Sequence, residues 1–145
     1  MVPDLVALVA ATLFAGAALY ITLVEHPARM GLEDGPLLAQ WQPSYNRALP
    51  IQAGLAILGG AAGLLAWYLH REWQWMAGSL FLLANWPFTM LVIMPTNKQL
   101  MAMQPQHAGA ESRGLLRRWA GLHGVRSALG SAASLLFAWG FLVTR

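Results

Sequence analysis

Four apolar stretches, each about 20 residues long and almost free of charge, run along this chain at 4–24, 48–69, 73–94 and 122–143, and a segment of that kind is what crosses the hydrocarbon core of a bilayer. Inside hydrocarbon every backbone polar group has to bond within the protein, which makes such segments helices. The 145 residues therefore predict an all-α fold, an integral membrane antiparallel four-helix bundle that forms a single transmembrane domain over 1–145. Composition agrees. Charged residues are only 10% of the chain and hydrophobic ones 57%, against roughly a quarter charged in a soluble domain, too few charges to coat a water-soluble globule. The absence of cysteine excludes disulfides, thiolate metal sites and a cysteine nucleophile.

The second and third stretches are joined only by His70, Arg71 and Glu72, a tight antiparallel hairpin. The other two connections, 25–47 and 95–121, are long and fall on the same side of the bundle, so nearly all extramembrane mass is expected there. That side carries Arg29, Arg47, Lys98, Arg113, Arg117 and Arg118, whereas the other has Arg71 and Arg145. Basic residues concentrate in cytoplasmic loops, which predicts a multi-pass protein, of the bacterial inner-membrane type, with long loops cytoplasmic and both termini outside. The same bias accounts for the net charge of +3 without a nucleic-acid partner, since nucleic acid needs a basic stripe on a solvated face. No basic n-region precedes the first stretch, which reads as a retained helix rather than a cleaved leader.

Small residues at helical spacing mark expected helix contacts: Ala7, Ala11 and Ala15; Gly59 and Gly63; Gly124, Ala128 and Ala132. Trp67, Tyr68, Trp73 and Trp75 at one end, and Trp41, Tyr45 and Trp119 at the other, read as interfacial anchors. The two halves are faintly alike, Trp41, Tyr45 and Arg47 matching Trp119, His123 and Arg126.

A polar cluster on the long-loop side needs a different account, because an ionisable group near hydrocarbon is costly and must find a partner or a wet cavity. Glu25 and His26 end the first span, Asn97 and Lys98 follow the third, and Trp119, His123 and Arg126 open the fourth at i, i+4 and i+7, one helix face. Arg126 is expected to pair with Glu25. A purely structural reading has Glu25 and Arg126 as a salt bridge, the two histidines as interfacial hydrogen-bonding groups, and Asn97 as the cap of a short helix beginning near Lys98. Mid-span Asn85, two residues before the helix-breaking Pro87, is expected to hydrogen-bond across the bundle. His70 and His107 are expected to face solvent.

The residues Glu25-His26-Pro27-Ala28, the run from Met94 through Pro95, Thr96, Asn97 and Lys98 to Leu100, and Trp119, His123 and Arg126 resemble the anthrone-oxygenase-like family of small four-helix membrane proteins, in order and over nearly the whole chain. Fungal members are associated with oxidising anthrones to anthraquinones without a conventional organic cofactor. The resemblance implies an oxygenase-like enzyme acting on a lipophilic, aromatic substrate at the cytoplasmic end of the bundle. A histidine with a near-neutral pKa suits proton abstraction, so His123 or His26 would be the base. Arg126 and Asn97 would stabilise an enolate oxygen, and Glu25 would orient a histidine or balance Arg126. Trp119, and Lys98 beside the cluster, would contact the substrate.

No cofactor is favoured. A non-haem metal held by His26, His123 and Glu25 would use a familiar ligand set, but neighbours on a regular helix point about 100 degrees apart, which makes a metal-free site the better expectation. The competing class is a non-catalytic membrane protein, either an accessory subunit of a membrane complex or a small carrier, with a homo-oligomer or complex partner. Few charges lie within the spans, so no ion pathway is visible.

Overall fold

In the computed structural model, which describes residues 1–145, helices account for nearly the whole chain and no strand forms. Four are long and apolar enough to cross a membrane: α1 (Val2–Arg29), α2 (Asp34–His70), α3 (Trp73–Ala102) and α4 (Ala110–Val143). α1 and α3 each pack against α2 and α4, which closes the expected antiparallel four-helix bundle.

The expected spans are only the middles of these helices. At 1.5 Å per residue the 37 residues of α2 reach about 56 Å, nearly twice the ~30 Å hydrocarbon thickness. The segments expected as long loops are therefore largely helical, and the true links shrink to 30–33 and 103–109. α2 even continues through Pro43 and Pro50, although each proline removes a backbone hydrogen bond. What holds these extra turns is a second hydrophobic core, in which Leu37, Leu38 and Trp41 pack with Leu100, Leu116 and Trp119. Side chains also satisfy the carbonyls orphaned at the helix ends. Gln42 Nε2 donates to Leu100 O at 2.9 Å and Met103 O at 2.8 Å, and Arg113 donates to Met30 O and Leu32 O while pairing with Asp34.

The opposite end closes as the hairpin requires, with Arg71 in the left-handed region at φ 61 and its N–H on Trp67 O. His70 does not face solvent freely there: its Nε2 lies 3.0 Å from both carboxylate oxygens of buried Asp4 and so ties α2 to α1. His107 is exposed, as expected. This half of the bundle is filled by Ala7, Ala11, Phe14, Trp75, Leu82 and Phe137. Ala7, Ala11 and Ala15 are buried, and Gly59 and Gly63 sit where a Cβ would strike Leu82 and Phe137 respectively. On α4 the contact face is instead Ser127, Gly130, Ala133, Phe137 and Gly140. Gly124 has open space at its Cβ position and Ala128 is exposed, because His123, Arg126 and Phe137 set which face of α4 turns inward. The aromatic anchors divide likewise: Tyr68 and Trp73 are exposed, whereas Trp41, Trp75 and Trp119 are core residues.

Candidate functional site

Between the two cores lies a layer of polar side chains supplied by all four helices. α1 reaches it through a π-type turn, Ile21–Glu25, a local widening of the helix that recurs at functional sites. The turn leads on to His26 and Arg29, both buried, so α1 does not end at His26 as expected. α3 has a similar device: it breaks at Ala84, ahead of Pro87, and carries a second π-type turn at Thr89–Ile93 before delivering Asn97. α2 brings Trp41, Tyr45 and Gln52, all on one face by their i, i+4, i+11 spacing. Trp119, His123 and Arg126 come from α4 and are buried together, as their spacing predicts.

Arg126 is the hub of the layer. It does not pair with Glu25. Its guanidinium donates to Gln52 Oε1 at 2.9 Å and lies over the Phe14 ring, while its Nε is buried without a protein partner. Glu25 instead meets Arg29 at 2.6 Å and accepts from Ser44 at 2.9 Å and Gln40 at 3.2 Å. Glu25 is thereby turned along its own helix and toward α2, away from α4.

The two histidines are held differently. His26 Nε2 lies 3.1 Å from Leu116 O, and since a carbonyl only accepts, that nitrogen carries a proton. His123 Nδ1 lies 2.9 Å from Thr22 Oγ1, and its ring stacks on Trp119 at 4.7 Å. Trp119 also meets His26 at 5.0 Å and Trp41 at 5.7 Å. The two histidines thus share Trp119 as a neighbour but have different hydrogen-bond partners, and Glu25 bonds to neither. No three His, Asp or Glu side chains come together as a metal-holding group, so the set of His26, His123 and Glu25 is not assembled.

Asn97 is not a helix cap. It lies within the last turns of α3, where its Nδ2 donates to the Tyr45 hydroxyl at 3.1 Å. Asn85 serves its own broken helix, donating to Leu82 O at 3.1 Å and Phe81 O at 3.4 Å rather than across the bundle. Lys98 is exposed and takes no part in the layer. Arg47 is exposed too, so the likeness between the halves holds for Trp41 and Trp119 but fails at the arginine.

Two spaces meet at this layer. A cleft of about 280 Å³ opens sideways between α2 and α3, walled by Pro50, Ala53, Trp86 and Met90, with Arg126 and Asn85 behind them. Trp86 and Met90 are exposed on the bundle's flank, where a membrane-spanning helix meets lipid. A polar chamber of about 20 Å³ lies further in, lined by Tyr45, Gln52, Asn97, Trp119, His123 and Arg126, with room for about one water molecule. Leu49 and Arg126 line both, so Arg126 stands where the apolar cleft passes into the polar chamber. Sequence reasoning missed Thr22, Gln52 and Ser127 as members of this layer; the recurrence of Trp41, Tyr45 and Gln52 on one face of α2 was the signal for Gln52.

A family model described as anthrone oxygenase matches residues 41–136. The chain is 26% identical, over 90% of its own length and 83% of the relative's, to a protein of Claviceps purpurea (strain 20.1) described as an anthrone oxygenase. It is 30% identical, over 78% of its length and 70% of the relative's, to another anthrone oxygenase from Cryptosporiopsis sp. (strain 8999). No solved structure matches it.

Proposed function

Because the chain belongs to the anthrone oxygenase family, we propose that it is a membrane oxygenase that draws a lipophilic ketone with an acidic CH2 group from the bilayer and oxidises that carbon with O2. The observation that carries this reading is the position of Arg126, in the wall of the lipid-side cleft and also in the wall of the chamber that holds His123. An apolar ring system suits the cleft, and its oxygen would then reach the Arg126 guanidinium, the cation that lines both spaces.

The chemistry follows from that placement. His123 removes a proton from the CH2 group, and Arg126 stabilises the enolate oxygen through donors aimed at developing charge. Arg126 has such a donor free, since its Nε has no protein partner. The Tyr45 hydroxyl, which accepts from Asn97 and has only the weak acceptor Met94 Sδ at 4.0 Å for its own proton, supplies a second donor. Asn97 therefore orients Tyr45 rather than acting alone. The enolate carbon bonds to O2, the two-electron reduced oxygen takes back the proton from His123 as a hydroperoxide, and loss of the remaining C–H with cleavage of the O–O bond gives the new carbonyl and water. The substrate loses four electrons, O2 gains four, and nothing else is consumed. His26, spent on Leu116 O and lining neither space, holds Trp119 against His123.

Oxygen uptake by the purified protein in lipid nanodiscs, with an anthrone as the probe substrate, tests the proposal. H123Q and R126Q should each lower turnover by on the order of 100-fold or more, whereas H26Q should retain most of it. Anthrone-independent oxygen uptake, or full turnover by H123Q, would overturn it.

A further inference from the structure

We infer that a hydroxyl pair, Thr22 on α1 and Ser127 on α4, sets the tautomer of His123, holding the proton on Nδ1 and presenting the Nε2 lone pair to the chamber. The inference rests on the reading of His123 as the base and adds two positioning residues to it.

The protons along a short chain of contacts can be placed one by one. Ser127 Oγ lies 3.3 Å from the His123 carbonyl oxygen, which can only accept, so Ser127 spends its single hydroxyl proton there. Thr22 Oγ1 lies 2.7 Å from Ser127 Oγ. With the serine proton already used, the threonine must donate across that contact. Its own proton is then spent, and at the third contact, 2.9 Å to His123 Nδ1, Thr22 can only accept. Nδ1 must therefore carry a proton, and in neutral imidazole the other nitrogen is then the base. Running the chain in reverse satisfies only two of the three contacts and leaves the 3.3 Å one unmade, so the first arrangement makes one more hydrogen bond. Ser127 and the His123 ring are both buried, so bulk water does not compete for these groups.

The arrangement also explains why two polar residues occupy the α1–α4 seam where small apolar residues would pack. Nδ1 faces Thr22, Trp119 covers one face of the ring, and Nε2 has no protein hydrogen-bond partner in a ring that lines the chamber. The wrong tautomer would put an N–H where the reaction needs a lone pair, and the order-of-magnitude consequence of misplacing such a proton is large, as in the serine-protease aspartate-to-asparagine exchange.

Histidine-selective 15N NMR of the full-length protein in nanodiscs reads the tautomer directly, with His123 assigned by subtraction of the H123N spectrum. The wild-type protein should show a protonated Nδ1 and an unprotonated Nε2 at pH values where the ring is neutral. T22V, which keeps the side-chain shape, and S127A, which removes the anchor while sparing Thr22, should each shift the population toward the Nε2–H form. Both should lower kcat by about tenfold or more with KM within about twofold, and T22S should restore both tautomer and kcat. An Nε2–H wild type, or an Nδ1–H signal unmoved in both T22V and S127A, would overturn the inference. Because the wild-type spectrum needs no turnover, a protein that shows the expected tautomers but oxidises no anthrone would strike the proposed function alone.

Discussion

At the scale of single residues the polar layer turns on which charge answers which. That Arg126 must be accommodated within the bundle was legible from its position inside an apolar stretch, and so was its shared face with Trp119 and His123. Its partner was not legible, because sequence gives depth along a helix but not the direction a side chain takes after an irregular turn. The π-type turn ending at Glu25 and the continuation of α1 to Arg29 give that carboxylate a cation one turn away, and it never crosses to α4. The buried arginine then has neutral Gln52 as its one side-chain acceptor, with its Nε left unpaired. Removing one partner of a buried ion pair strands the other, so E25Q should destabilise the protein by on the order of 2 kcal/mol, moderated by the partial exposure of Glu25. The exchanged pair E25R/R29E should recover most of the loss in thermal unfolding in detergent. An exchange between positions 25 and 126 should recover nothing, and rescue by that second exchange would reinstate the pairing with Arg126.

At the scale of elements, apolar length located all four helices but understated each of them. The missing turns of α2 and α4 carry enough polar residues to read as loops, and Pro43 and Pro50 reinforce that reading; they become helical because Trp41 and Trp119 build a second core at that end. Tertiary packing overrides a local helix breaker here. The small-residue stripes were more faithful guides on α1 and α2 than on α4, where the larger side chains decide the inward face. A Cβ on Gly63 would overlap Ser79 Oγ and the Phe137 ring, both in the closed half of the bundle. G63A should therefore cost about 1–3 kcal/mol, the usual range for overpacking. Gly54, exposed on the same helix with nothing within 4 Å of a Cβ, should gain about 0.5–1 kcal/mol as G54A through helix propensity and lost unfolded-state freedom. Both are read as changes in midpoint temperature in one detergent, and a G63A protein as stable as wild type would mean that α2 and α3 are less closely apposed than described.

At the scale of the whole molecule the two ends of the bundle do different work. One is pinned by the hairpin at Arg71 and the contact between His70 and Asp4, and it is packed with alanine, glycine and aromatic rings down to the polar layer. The other projects beyond a bilayer's thickness as helices and gathers the second core, the Glu25–Arg29 and Asp34–Arg113 ion pairs and most of the basic surface. A chamber set just inside that projecting end adjoins the cleft on the flank, and on the proposed function a bilayer-dissolved substrate would arrive by that route without crossing water. We propose that this asymmetric body sits with its projecting end in the cytoplasm, because Arg47, Lys98, Arg117 and Arg118 are exposed there and basic residues are retained on the cytoplasmic side. The absence of native cysteine makes the point testable with single thiols. In intact cells a membrane-impermeant maleimide should label R145C, at the exposed C-terminus, and leave R118C unlabelled until the membrane is permeabilised. The reverse pattern would place the projecting end, and with it the chamber, on the outer side of the membrane; it would leave the lateral route intact but require the product to be released away from the cytoplasm.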